Sequence, residues 1–314
     1  MIPIRRIVWA IDAFQESKET LQRCAESIRH LGNQNTETEP VFVLPPEPGI
    51  SLFEVLYPPI NFSYGDDAEQ ALKEKLEKIQ LPHLLAPKVI DKPILSNTGA
   101  ISALIEHAQH THADLIVVGT HGRRGVARLF LGSFAESLLL HSSLPILMVG
   151  SGTHHLRKYD QILFPTDFGP QSELVFPIVL NLAKELRSKL ILFHSIQKPI
   201  HLPLRFVPPG ALETGIEAEK ERLLKKSKSY IEMGNPYGVE VNVVIECSET
   251  AAATEILNFS QDHKIPLIAM PAQSGAIAST IAGSTTRHVV RGAHCPVWVL
   301  HAPSFQKAAK EKSA

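Results

Sequence analysis

Short β-branched and aliphatic runs alternate along the chain with longer stretches in which apolar residues return every three or four positions. That order predicts strand–helix–strand units laid on a parallel sheet. In the first half the runs predict strands at Arg6–Ile11, Pro40–Leu44, Pro87–Asp91, Asp114–Val118 and Leu144–Val149. Helical periodicity falls at Ser17–Leu31, Ala68–Gln80, Gly99–Thr111 and Ser133–His141. In the stretch from Ala68, one face carries Ala68, Ala71, Leu72, Leu76 and Ile79, with Lys and Glu elsewhere. The second half predicts strands at Gln161–Pro165, Lys189–His194, Val239–Cys247, Pro266–Met270 and Pro296–Leu300. The charge run Glu217–Lys228 reads as the exposed face of a helix.

The two halves also resemble each other, which a single large sheet would not explain. Arg6–Asp12 resembles Gln161–Asp167, and Asp114–Val118 resembles Pro266–Met270. Leu131–Ser133 matches Ala282–Ser284, and Leu144–Val149 matches Cys295–Leu300. Order is kept, and the spacing between equivalents drifts by only a few residues, as loop insertions would produce. The fold class expected is therefore α/β, with two tandem open five-stranded parallel sheets. The domains expected are 1–150 and 158–301, joined by a polar linker at Ser151–Arg157. Pro45–Phe62 and Gln197–Gly210 are expected to be long loops or lids, and the residues beyond His301 a frayed, charged tail.

Composition narrows the setting. At 314 residues and 44% hydrophobic, each half is long enough to bury a core. A formal net charge of -1 argues against a dedicated nucleic-acid binder. No run of about 18 apolar residues occurs, so no membrane helix is expected. The first residues lead directly into a strand without a signal peptide's apolar region, so the expected localisation is cytoplasmic. Cys24, Cys247 and Cys295 are odd in number and widely spaced, which suits a reducing compartment and neither a disulfide framework nor a cysteine metal site.

The candidate chemistry lies after the first and fourth strands. If these flank the point where strand order reverses, Asp12 and the loop after Val118 face each other across one crevice. That loop carries Gly119, Gly122 and, just before a helix, Gly132 and Ser133. Glycine lets backbone amides approach a ligand closely. The first amides of a helix, with its dipole, favour an anion. Arg123, Arg124 and Arg128 add positive charge. Together these describe a phosphate cradle, against the blander reading of turn and capping glycines. Neither a Walker A loop nor a G-x-G-x-x-G fingerprint is present.

The spacing G-x2-G-x9-G-[ST], filled by Gly119, Gly122, Gly132 and Ser133, resembles the ATP-binding signature of the universal stress protein family. In the second half, Leu163–Phe168 resembles that family's first strand with its terminal Asp. The resemblance spans roughly residues 4–150 and 158–301, arranged as in tandem members. It implies a Rossmann-like fold of the adenine nucleotide alpha hydrolase type and an ATP-binding stress or regulatory protein. Asp12 would sit by the adenine or ribose, and Val118 would pack on the nucleoside. Gly119 and Gly122 would line ribose and phosphates, while Gly132, Ser133 and the amide of Phe134 would hold the phosphates. Mg²⁺ would accompany the triphosphate. The backbone after the second strand, which contacts adenine in the family, falls at Leu44, Pro45 and Pro46, where proline removes a donor. The last strand of each half, Ile146–Val149 and Val297–Leu300, carries apolar residues at what should be a sheet edge, which invites pairing; such strands mediate dimerisation in the family, so the resemblance implies an internal pseudo-dimer and a homodimer of chains.

The second half departs from the signature. Pro271 stands where Gly119 stands, Ser274 where Gly122 stands, and the loop is one residue shorter before Gly283 and Ser284. The expectation is a second domain impaired for ATP that serves assembly or another ligand. Competing readings are a nucleotide-independent interaction scaffold and a slow ATPase, although no positioned general base is recognisable. His107, His110 and His112 read either as surface residues or as a metal site, the former being the commoner. His121 is either a ligand contact or a solvated turn residue, and His154 and His155 are solvated linker residues. Trp9 and Trp298 read as core.

Overall fold

The computed structural model describes residues 4–44, 64–91, 97–120, 133–150, 153, 158–198, 208, 210–272 and 283–301. The chain divides into two compact units on either side of position 151. The first unit runs β1 (Arg6–Ala10), α1 (Lys18–Leu31), β2 (Glu37–Val43), α2 (Tyr64–Leu76), β3 (Lys88–Ile90), α3 (Asn97–His110), β4 (Leu115–Thr120), α4 (Ser133–His141) and β5 (Ile146–Gly150). The second runs β6 (Gln161–Pro165), α5 (Pro170–Leu186), β7 (Lys189–Gln197), α6 (Ala211–Gly234), β8 (Val241–Ser248), α7 (Ala252–Asp262), β9 (Leu267–Pro271), α8 (Ser284–Gly292) and β10 (Val297–Leu300).

Within the first unit the strand order is β3-β2-β1-β4-β5, and within the second it is β8-β7-β6-β9-β10. Every strand pair inside each unit is parallel. Parallel sheets need both faces covered, so their inner strands are apolar on both sides. All six residues of β4 and all five of β9 are buried. Trp9 and Trp298 are each 1% exposed, in the core where the sequence places them. The charge run Glu217–Lys228 lies within α6, whose buried face is Leu223, Ser227, Tyr230 and Gly234.

The duplication extends to strand register. Ile7 lies opposite Leu115, and Ile162 opposite Leu267. Gly119 lies opposite Val149, and Pro271 opposite Leu300. Pro271 therefore holds in the second sheet the place that Gly119 holds in the first. One helix end repeats as well. After α3, His112 has φ 54°, its N–H donates to the Gln109 carbonyl (3.1 Å), and the Ala113 N–H reaches the Ala108 carbonyl (2.8 Å). After α7, Lys264 has φ 52°, its N–H donates to Gln261 (3.1 Å), and the Ile265 N–H reaches Ser260 (2.8 Å). These bonds form the same left-handed helix stop, which satisfies carbonyls the helix leaves open.

The units differ in how their cores are filled. The second holds an aromatic cluster in which Phe176 lies 4.6 Å from Tyr230 and 5.6 Å from Phe164, and Phe168 lies 5.5 Å from Tyr230. Burial first, then the carboxylates of Glu173 and Asp167, push the Tyr230 phenol well above its ordinary value. In the first unit, Leu21, Leu72 and Ile101 are among the largest fully buried side chains.

Candidate functional site

In each sheet the order reverses between the first and fourth strands of the unit, so connections leave to opposite sides and a crevice opens beyond their carboxyl ends. In the first unit β1 and β4 are bonded neighbours with Ala10 opposite Val118. Asp12 follows β1 by two residues, and Gly119 follows Val118 on β4. The two ends the sequence expects to face each other are thus adjacent. Val118 is 5% exposed. Ser133 opens α4, and Phe134 lies in that helix's first turn. Gly122, Gly132, His121 and the three loop arginines lie outside the described residues, as do Pro45, Pro46, His154, His155, most of the linker and the tail.

Asp12 closes its own turn. Its Oδ1 accepts the N–H groups of Phe14 (2.9 Å) and Gln15 (2.8 Å). Aspartate stabilises a turn in this way because its short side chain reaches amides two and three residues on. The chain then enters α1 through an N-cap at Ser17, whose Oγ accepts the Thr20 N–H at 3.1 Å.

Glu16, the residue before that cap, reaches the ends of both strands. It is 6% exposed. Its Oε2 accepts the Asp12 N–H at 3.3 Å, and its carbonyl accepts Lys75 Nζ at 2.6 Å. A Cβ built on Gly119 would stand 2.5 Å from Glu16 Oε1 and 2.5 Å from Thr20 Cγ2. Glycine at 119 is therefore required by close approach of the α1 entrance to β4. Below lies Cys24, whose thiol is pushed well above its ordinary value by burial and then by the Glu16 carboxylate; the Trp9 indole and Arg23 act against them. Sequence reasoning pointed to Asp12 and Gly119, which stand at adjacent strand ends, and did not point to Glu16 and Thr20 beside them. The one signal for them was a glycine ending a strand that is buried throughout, which implies that something fills the space of the missing side chain.

The second unit keeps the frame with other chemistry. Asp167 Oδ1 accepts the Gly169 N–H and the Ser172 hydroxyl, both at 2.9 Å. Gln171 stands four residues after Asp167, as Glu16 stands four after Asp12. Pro271 ends β9, and its carbonyl accepts the Thr286 hydroxyl of α8 at 3.2 Å. Ala272 donates to Leu300 (2.8 Å) and accepts from Gly283 (3.0 Å). Ser274 lies outside the described residues.

The histidine group is engaged in the scaffold. His107 Nε2 lies 3.1 Å from Glu39 Oε2, which also pairs with Arg6 at 3.2 Å. His110 Nδ1 lies 2.7 Å from the Glu106 carbonyl, and His112 occupies the left-handed helix stop.

The profile described as the universal stress protein family matches residues 3–150 and 158–301. The universal stress protein MJ0531 of Methanocaldococcus jannaschii is 28% identical over 148 residues, covering 46% of this chain and 84% of that protein. The universal stress protein A homolog 1 of Coxiella burnetii is 30% identical over 146 residues, covering 46% of this chain and 95% of that protein. Among solved structures, a universal stress protein from Archaeoglobus fulgidus superposes with a TM-score of 0.61 at 19% identity, covering 94% of this chain and 96% of that one.

Proposed function

Because the chain belongs to the universal stress protein family, with two of its domains in tandem, we propose that its first domain holds ATP and that occupancy regulates conformation or partner choice. The observation that carries this reading is the adjacency of Asp12 and Gly119 at a strand-order reversal, with the start of α4 following the same strand. Val118 would pack on the nucleoside. Asp12 would sit by adenine or ribose, and Gly119 and Gly122 would line ribose and phosphates. Gly132, Ser133 and the amide of Phe134 would receive the phosphates at the helix start. Mg²⁺ belongs to this reading, since it takes oxygen ligands and offsets triphosphate charge, and the carboxylates of Asp12 and Glu16 are donors of that kind. The Leu44 N–H is already committed to the Ile90 carbonyl at 3.1 Å, so adenine would be recognised by other groups.

For the second domain the favoured reading is a nucleotide-independent interaction module, supported by Pro271 at the place of Gly119. A cytoplasmic setting suits the three free cysteines. Association of two chains belongs to the same reading. No helix among the described residues is long and apolar enough to cross a membrane.

Mass spectrometry of nucleotide released from the purified protein, with calorimetry on wild type and Gly122→Val, tests the proposal. One ATP per chain, lost in the variant, is the expected result. Two equivalent sites would overturn the division between domains, and no binding heat would favour the scaffold reading throughout.

A further inference from the structure

Strand β8 is the outer strand of the second unit and is bonded to β7 on one side. That pairing runs unbroken from Val241 opposite Leu190 to Ser248 opposite Gln197. Along a strand in a parallel ladder, alternate residues turn their N–H and C=O groups to opposite sides. The Glu240 carbonyl accepts the Leu190 N–H, and the Ser248 carbonyl accepts the Lys198 N–H, so the even-numbered residues face β7. Val241, Val243, Ile245 and Cys247 therefore turn their backbone groups outward, where no partner occurs among the described residues. Val243, Val244 and Ile245 are half-buried, and Glu246 is the one charged residue of the strand.

An edge left in this form is a template for another strand, and proteins blunt such edges with short strands, lysine or proline. The outer strand of the first unit is blunted in this way. Strand β3 has three residues, follows Pro87 and starts at the exposed Lys88. Strand β8 has eight residues and neither proline nor lysine. A second copy of this chain is the occupant that its sequence fits. Two copies related by a twofold axis present the same surface to each other and meet antiparallel. With the axis at Val244, Val241 lies opposite Cys247 of the other copy, and Val243 opposite Ile245. In that register alone, all four outward residues of both copies find partners. It also sets Val244 against Val244, Glu246 against Asn242 and Glu240 against Ser248, so no like charges face each other. Moving the axis to Val243 would set Glu246 against Glu240.

We propose that β8 is a docking edge for a second copy of this chain, paired antiparallel about Val244 so that the two sheets become continuous. The association of two chains proposed above, on which this assignment rests, then runs through β8 and needs no nucleotide.

Sedimentation of the full chain compares wild type with Ile245→Pro. The Ile245 N–H points away from β7, so proline there removes no bond of the unit's own sheet, as on natural edge strands. Wild type should run as a dimer and Ile245→Pro as a monomer, with unchanged circular dichroism. Cross-linking under a mild oxidant, in a Cys247→Ser background, then reads the register. Val244→Cys should link two copies through a disulfide, since directly opposed Cβ atoms lie about 4.5–5.5 Å apart. Asn242→Cys should not, because four residues along the strand keep the two thiols about 14 Å apart. A dimer that survives Ile245→Pro, with no link at Val244→Cys, overturns the edge and moves association to another surface. A link at Asn242→Cys in place of Val244→Cys overturns the pairing about Val244. A monomeric wild type removes the association and this proposal with it.

Discussion

The ends of β4 and β9 occupy one place in a duplicated frame, and they have opposite backbone chemistry. At the first stands Gly119, with the Glu16 carboxylate and Thr20 methyl pressed into the space its missing side chain leaves. At the second stands Pro271, in the same register against the neighbouring strand, with its carbonyl tied to Thr286. Proline lacks an N–H and holds φ near −65°, so it cannot present an amide to a ligand. The helix entrances differ too, with Glu16 ahead of the Ser17 cap in one unit and Pro170 directly after Gly169 in the other. Register, the stop shared by α3 and α7, and the turn-closing aspartate survive duplication because they hold the sheet together. The residues lining the crevice have no such duty and are free to diverge.

Moving proline into the first unit is the sharpest way to break this contrast. Gly119→Pro should cost about 3 kcal/mol, since the ring must displace Glu16 or Thr20 and a donor is lost. Denaturant unfolding of the first domain measures it. A loss under about 1 kcal/mol would mean that the close approach is not what selects glycine.

A smaller effect separates the two cores by pH. Burial lifts the Cys295 thiol from its ordinary 9.0 to about 12. The folded second domain therefore holds a proton that the unfolded chain releases. The stability this gives is whole below about pH 9 and is lost as pH rises toward about 12. Near pH 10.5 the Cys295 share of the loss should reach about 2 kcal/mol and be removed in Cys295→Ala, leaving the smaller part that the raised Tyr230 phenol contributes. Cys24 is raised in the same direction, but there an acid side chain and an indole take part. A pH response unchanged by Cys295→Ala would assign the effect elsewhere.

The smallest expected effect concerns the entrances of α1 and α5. Ser17 caps α1 through its hydroxyl, whereas α5 starts at Gly169 with no side-chain cap and leans on Asp167 and Pro170. Ser17→Ala should destabilise the first domain by about 1 kcal/mol in thermal unfolding. No change would indicate that the Glu16 contacts hold the entrance alone.

Much of the frame was legible in the pattern of apolar residues, and the departures have local causes. The helix at Ser133–His141 and the strand at Gln161–Pro165 stand as the sequence predicts. The helix expected at Ala68–Gln80 instead spans Tyr64–Leu76. Its buried stripe, Ala68, Leu72 and Leu76, was correctly read, but Asp66 and Asp67 extend its start, where acidic residues favour the dipole. Ile79 lies beyond its end. Strand β2 begins at Glu37 because its charged residues pair with Arg6 on β1, a contact invisible to hydropathy. Strand β7 continues to Gln197 because β8 pairs with it as far as Ser248, and pairing partners are not written in one segment's sequence. At the candidate site, spacing pointed to Asp12 and Gly119, but Glu16 looked like any polar residue ahead of a helix. Its burial follows from how closely α1 packs on β4.

His112 and Lys264 carry a further consequence. The two copies have exchanged an imidazole for an ammonium at that stop, yet φ is 54° in one and 52° in the other. Side-chain identity differs there while the handedness of one torsion is the same. A left-handed stop fixed by its own hydrogen bonds thus accepts either side chain, and glycine at either position should relieve strain in both units alike.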